Sequence, residues 1–312
     1  MLAGAGSTAF ALSEVRGREK PLPFPENQHS LETLTRSVRA VNQFKGRVIT
    51  MPSKAAFAMV GSFHPEGTTR EQVFGKISTL DRREVFKGDS VYHWTGIDVL
   101  ETRVLLFEGE SLTMVEADPE TLKEVTRRSV LWDRIAPPRD RGGEATAPET
   151  AALRVMFKQR FSATSGVKVA GIAPLPDTWR ASPLRQYVVA TRIRGFPLLI
   201  MECDKSDLSV CRITRQCHLE GSGDLKPEAI TGIAVSSKRR LILIGDADGH
   251  RLVGFKFHSC YHITRRDTYP LPVRLKELTN VAVDADDRLW VTTDAADDYH
   301  NASLFYWEGA GW

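Results

Sequence analysis

The chain has 312 residues, 42% of them hydrophobic, and a formal net charge of +3, so it can bury a sizeable core and is nearly neutral for its length. That balance gives no reason to invoke a nucleic-acid or anionic-membrane partner, and no stretch approaches the roughly 20 apolar residues of a membrane-spanning helix. The basic pairs Arg82-Arg83, Arg127-Arg128, Arg239-Arg240 and Arg265-Arg266 fall at or near predicted turns and read as solvated loop tips.

Met1 to Leu12 is small and apolar, with Ala9-Phe10-Ala11 resembling a cleavage site but no basic segment before it. It reads as the back half of a signal peptide or as a flexible leader. With the charged, Pro-containing stretch that follows (Pro21, Pro23, Pro25), residues 1–28 form a leader and extended arm, and 29–312 form one domain. A strand near Leu31 to Val41 opens that domain, with Val38 to Asn42 as the first candidate inner strand and a degenerate strand pair around Ala56 to Phe63.

The first clear phrase is Thr95-Gly96-Ile97-Asp98-Val99, followed by a turn and Arg103 to Phe107. Leu112 to Val115, a turn over Asp118 to Leu122, and Val130 to Trp132 continue it as third and fourth strands. Residues 134–152 form a loop excursion, Pro/Gly/charge-rich from Pro137 to about Thr150, read as exposed and without a following helix. The phrase returns as Ala170 to Ala173 with Gln186 to Ala190, then as Ile230 to Val235 with Leu241 to Asp246. There the pair Asp248-Gly249 turns the chain into a third strand, His250 to Phe257. Its last copy is Leu278 to Val283 with Leu289 to Asp294, and Leu304 to Trp307 supplies a third strand.

Second strands thus begin near 56, 103, 186, 240 and 288. A period of roughly 40 to 50 residues, dense turn chemistry and no helical period together indicate an all-β chain, a β-propeller of five or six four-stranded blades. An N-terminal strand should close the ring by completing the last blade. The wide step from 103 to 186 leaves room for a sixth blade or a long loop.

Inner strands of a propeller start near its axis, which directs His93, Trp94, Thr95, Asp98, Thr231 and Asn280 towards a central funnel suited to a small molecule, a peptide or a partner protein. Asp294, Asp297 and Asp298 offer a D-x-x-D-D loop for calcium, against which stands a solvated turn. No other cofactor is implied. Cys203 and Cys211 flank a hairpin and Cys217 is placed to reach Cys260 on the next blade, while four buried thiols remain the alternative. A zinc site is disfavoured: no C-x-x-C occurs, and His218, His258 and His262 alternate with strand positions. Neither G-x-S-x-G, H-E-x-x-H nor a P-loop is present.

The phrase running from Thr231 to Phe257, followed by Leu278 to Asp294, resembles consecutive blades of the NHL and SMP-30/gluconolactonase group of β-propellers. That resemblance implies the fold and, in its lactonase members, a divalent metal held by Glu, Asn and Asp at the channel mouth. At the Asn and Asp places this chain carries Thr231 and Asn280, which supply oxygen without charge, and the early Glu has no counterpart.

The expected function is therefore non-enzymatic recognition at the funnel or one face, in a secreted or periplasmic setting, with a cytoplasmic one as the alternative. A diverged metal-dependent lactonase or esterase-type hydrolase using His93, Asp98 or Asn280 is the second expectation, and a structural module in a larger assembly the third.

Overall fold

The computed structural model describes residues 28–30, 43–50, 56–64, 71–78, 88–90, 94–100, 103–117, 124–138, 146–179, 182–205, 210–270, 277–283, 289–294 and 303–307. Its strands are β1 (Gln28–Ser30), β2 (Gln43–Thr50), β3 (Ala56–His64), β4 (Glu71–Ser78), β5 (Gly88–Ser90), β6 (Trp94–Val99), β7 (Val104–Glu108), β8 (Thr113–Ala117) and β9 (Glu124–Ser129). After a helix at Ala147–Ala163 come β10 (Val169–Pro174), β11 (Leu184–Thr191), β12 (Leu198–Asp204), β13 (Cys211–Gln216) and β14 (Leu219–Glu220). The last are β15 (Ile230–Ser236), β16 (Leu241–Asp246), β17 (Arg251–Ser259), β18 (His262–Pro270), β19 (Glu277–Val283), β20 (Leu289–Asp294) and β21 (Ser303–Trp307).

Among the described residues these strands form five four-stranded antiparallel units: β2 to β5, β6 to β9, β10 to β13, β15 to β18, and β19 to β21 completed by β1. The inner strands β2, β6, β10, β15 and β19 each pack against the next, and β19 returns against β2. The fold is a β-propeller. Its ring is closed by β1, where Gln28 pairs with Phe305 and Ser30 with Ser303; the expected strand at Leu31 to Val41 lies outside the described residues. The expected inner strand at Val38 to Asn42 lies outside the described residues, and the first described inner strand is Gln43–Thr50.

That phrase has a structural cause. In four units the pairing of the first strand with the second slips by one residue at the same point, skipping Thr95, Ala170, Thr231 and Thr279. Each slip is a β-bulge, which re-aims the strand as it enters the ring. The residue after the bulge is Gly96, Gly171, Gly232 or Asn280, so Asn280 corresponds to Gly232 and Thr279 to Thr231. This corrects by one position the comparison of Thr231 with Asn280.

Glycine stands there because neighbouring backbones approach closely. A Cβ on Gly96 would lie 2.6 Å from the Cβ and 2.9 Å from the carbonyl oxygen of Ile172, and one on Gly171 would lie 2.8 Å from the amide nitrogen of Ile233. Gly96→Ala is accordingly expected to cost about 1–3 kcal/mol, as overpacking does. A lower urea midpoint at unchanged slope would show it.

The core lies between units. Leu105, Phe107, Val169, Tyr187 and Met201 fill the space between the second and third, and Ala170, Val188, Ile233, Ile244 and Phe255 the space between the third and fourth. Two disulfides, Cys203–Cys211 and Cys217–Cys260, settle the cysteine question: the first bridges the directly paired β12 and β13, the second joins the third unit to the fourth.

The excursion is not an exposed loop where it is described. Leu131 and Ala136 run parallel to β13 and hydrogen-bond with it, burying Ile135, and residues 146–163 form a helix start and helix within and beyond the expected loop. Thr146 caps that helix reciprocally: its Oγ1 accepts from the Glu149 amide at 3.4 Å, and Glu149 Oε2 accepts from the Thr146 amide at 2.8 Å. The helix offers only a narrow apolar row, buried Phe157 with half-buried Leu153 and Phe161, which is why no helical period was legible. Thr146→Ala should cost about 1 kcal/mol. Reduced helical ellipticity and a lower melting temperature are the expected readouts. No helix in the described residues is long and apolar enough to cross a membrane.

Candidate functional site

Each inner strand begins at one face of the ring, where the second strand ends and turns into the third. The last residue of the second strand is Glu108, Thr191, Asp246 or Asp294 in successive units, as their pairing with inner-strand starts shows. The first three are buried and each is bonded into the turn that follows it. Glu108 Oε1 accepts from the Glu110 amide at 2.8 Å, and Oε2 from the Ser111 amide at 2.6 Å. Thr191 Oγ1 accepts from the Ile193 amide at 3.1 Å and donates to the Phe196 carbonyl.

Asp246 accepts from the Gly249 amide at 3.2 Å and from Arg251 Nε at 2.7 Å. Arg251 then pairs with Asp224, which also holds Arg265, at 2.9 and 2.6 Å. The hydrogen bond from Arg265, chiefly, keeps the Asp224 carboxyl below its ordinary pKa. Glu108, Asp246 and Asp224 are thus held by their own turns or by neighbouring cations.

The residue after each capping position lies beside the start of an inner strand. It is Gly109, Arg192 or Ala247 in the second, third and fourth units. Gly109 makes a backbone contact with the next unit, its carbonyl accepting from the Lys168 and Val169 amides, while the Ala247 amide donates to the Ala229 carbonyl beside the inner strand of its own unit. Arg192 instead places a side chain at the mouth. Its Nε donates to the carbonyl of Ile230, the first residue of β15, at 3.0 Å. Its two Nη groups have no partner among the described residues, and burial pushes the guanidinium pKa below its ordinary value with no opposing carboxylate. Sequence reasoning missed Arg192. The available signal was its position opposite two small residues in aligned repeats.

The expected funnel residues part company. Thr95 and Thr231 sit at equivalent bulges, both buried; Thr95 Oγ1 donates to the Phe107 carbonyl at 3.3 Å, whereas Thr231 Oγ1 has no partner. Asp98 lies near the other end of β6, between the second and third units. Arg185 grips it bidentately at 2.5 and 2.8 Å, and the Tyr187 hydroxyl donates to it at 2.7 Å. Burial pulls the Arg185 pKa down, but the hydrogen bond and charge of Asp98 outweigh it and the net shift is upward.

Burial first, then the Asp98 charge, raises the Tyr187 pKa. Because the folded value lies above the unfolded one, the stability linked to neutral Tyr187 is complete below about pH 10 and is lost as pH rises beyond it. Titration at 295 nm should leave one phenol un-ionised past that range until the protein unfolds, and Tyr187→Phe should remove it.

Trp94 and Asn280 are described as strand positions only, Asn280 opposite Thr292, and Asp294 as the strand end opposite Glu277, one residue beyond Thr293, which takes the place of Asp246 in the unit before. His93, Asp297 and Asp298 lie outside the described residues. Among the described residues no three His, Cys, Asp or Glu side chains are grouped to hold a metal.

No family model and no curated protein matches the sequence. Solved structures do show a likeness. A luciferin-regenerating enzyme is 13% identical, with 88% of this chain and 94% of that one covered and a TM-score of 0.45. The glutaminyl cyclase of Myxococcus xanthus is 10% identical over 86% and 90%, also at 0.45. The β-propeller domain of Myceliophteria thermophila Cps50 is 10% identical over 81% and 67%, at 0.37. Likeness this distant leaves the fold assignment to the strand pairing and leaves activity undetermined.

Proposed function

We propose that the protein is a recognition propeller that takes a small molecule, a peptide or a segment of a partner protein on the face where its inner strands begin. The observation that carries this reading is Arg192, a half-buried guanidinium whose Nη donors are uncommitted beside the start of β15. A buried charge without a partner is costly, and a ligand that supplies acceptors recovers that cost. Glu108 and Asp246 at the same face are held in their turns, which supports binding over acid–base chemistry.

Kinship with the NHL and SMP-30/gluconolactonase group belongs to this proposal, supported by the recurrent bulged Thr-Gly phrase. So does a secreted or periplasmic location, supported by two disulfides in one domain. Iodoacetamide without reductant should therefore leave all four cysteines of the natively produced protein unmodified, as intact mass would show.

Two measurements test the function. A ligand and partner screen by thermal shift should give hits that protect the amides around Lys168, Arg192 and Ile230 from hydrogen exchange. A panel of lactones and esters supplied with calcium, zinc or manganese should show no turnover; saturable metal-dependent turnover would overturn the proposal in favour of a hydrolase.

A further inference from the structure

The third and fourth units answer differently to their cations. In the fourth, Arg251 and Arg265 are paired with Asp224, Arg251 also with Asp246, and Lys226 with Asp248 at 2.9 Å. In the third, Arg160, Lys168, Arg192 and Arg194 crowd around one turn, and none has a carboxylate partner among the described residues.

Their proximity is set by backbone contacts. The Arg192 amide donates to the Lys168 carbonyl at 2.8 Å, and Arg160 Nη1 donates to the Arg194 carbonyl at 2.5 Å. Gly195, at φ +85°, makes the turn that presses against Arg160: a Cβ there would lie 2.6 Å from Nη1. The Lys168 ammonium lies 4.3 Å from the centre of the Phe161 ring, which holds it beside the helix rather than free in solvent.

These four cations stand around the turn with no carboxylate partner among the described residues, and Arg192, whose charge burial disfavours, leaves both Nη groups of its planar fork unused. A planar fork matches the two oxygens of a carboxylate or phosphate, and neighbouring cations add attraction for further negative charge. We infer that this corner is an anion site and that the molecule recognised at the inner-strand face is a small ligand bearing two or more anionic groups, held by Arg192 with Lys168, Arg160 and Arg194 around it. This inference rests on the recognition reading and specifies the ligand class for it.

The test uses the full chain and three probes, sodium citrate, sodium pyrophosphate and sodium acetate, each titrated at constant ionic strength against chloride. The readout is the Nε–Hε correlation of Arg192 in the nitrogen-15 spectrum. Citrate, pyrophosphate or both should shift that resonance saturably, with acetate at least tenfold weaker, and which one binds separates polycarboxylate from phosphate ligands. Arg192→Gln should weaken the binding at least tenfold, read from backbone amides near Ile230, and Arg192→Lys should restore part of it.

Because Arg192 also bonds to β15, the Lys168→Gln and Arg194→Gln variants provide an independent check, each lowering affinity severalfold in a folded protein. Equal affinity in Arg192→Gln, or shifts that track ionic strength alone, would overturn the inference. If uncharged screening hits still protect the Ile230 region while all three anions fail, recognition at this face stands and only the anionic ligand class falls; if nothing protects that region, both fall.

Discussion

Asp98→Ala should be the most damaging single substitution in the described core, lowering stability by about 3–5 kcal/mol. The carboxylate is almost wholly buried, at 3% exposure, and receives Arg185 and Tyr187 from the neighbouring unit. Removing it leaves a mostly buried guanidinium unpaired and a buried phenol without its acceptor. The cost is that of stranded polar groups more than of a lost attraction. A double variant, Asp98→Leu with Arg185→Met, should therefore recover most of the loss. Chemical denaturation of the three proteins decides the matter: if the double variant is no more stable than Asp98→Ala, the damage comes from lost attraction or packing.

The second large effect is expected from Cys217→Ser with Cys260→Ser. These cysteines are 43 residues apart and tie the third unit to the fourth, whereas Cys203 and Cys211 are 8 apart within a single strand pair. In the chain-entropy account, freeing the longer loop costs about 4 kcal/mol and the shorter about 2.5 kcal/mol. The longer link also spans a packing interface, so its loss should expose surface between units before global unfolding. Hydrogen exchange in β14 and β18 should accelerate in that variant and not in Cys203→Ser with Cys211→Ser. Uniform acceleration in both would argue against a local role.

The repeat made the fold legible. Second strands expected near 56, 103, 186, 240 and 288 begin at Ala56, Val104, Leu184, Leu241 and Leu289, because a strand buried on both faces reads as a continuous apolar run. Outer strands gave no such signal. β9 is Glu124–Ser129 instead of the expected Val130 to Trp132, exposed at every position except Thr126, and its single apolar residue, Val125, points to solvent and marks no buried face. The wide step between 103 and 186 holds the β13-edge segment and the helix among its described residues, and the Thr146-x-x-Glu149 cap was the one readable sign of the latter.

The candidate site was less legible than the fold for a physical reason. A linear pattern finds residues that share a strand, and it gathered Thr95 with Asp98, which the structure assigns to opposite ends of β6. The corner around Arg192 assembles a helix, a strand end, a turn and the next unit's first strand, so its members have no common spacing. What identifies it is an imbalance of charge that becomes visible only when each cation's neighbours are known.

Ring closure sets a timetable for biosynthesis. The last unit needs β1, and Gln28 meets its partner Phe305 only when nearly the whole sequence is available. At about 5–20 residues per second of synthesis, the opening strand waits on the order of tens of seconds for β21 to be made, and the edge of β21 then stays unfilled until β1 docks. During that interval the nascent chain presents an open sheet edge, the element most prone to pair with a stranger. Chaperone dependence should therefore concentrate at the final step of assembly, and a peptide spanning Gln28 to Ser30 supplied in excess should compete with the chain's own strand during refolding.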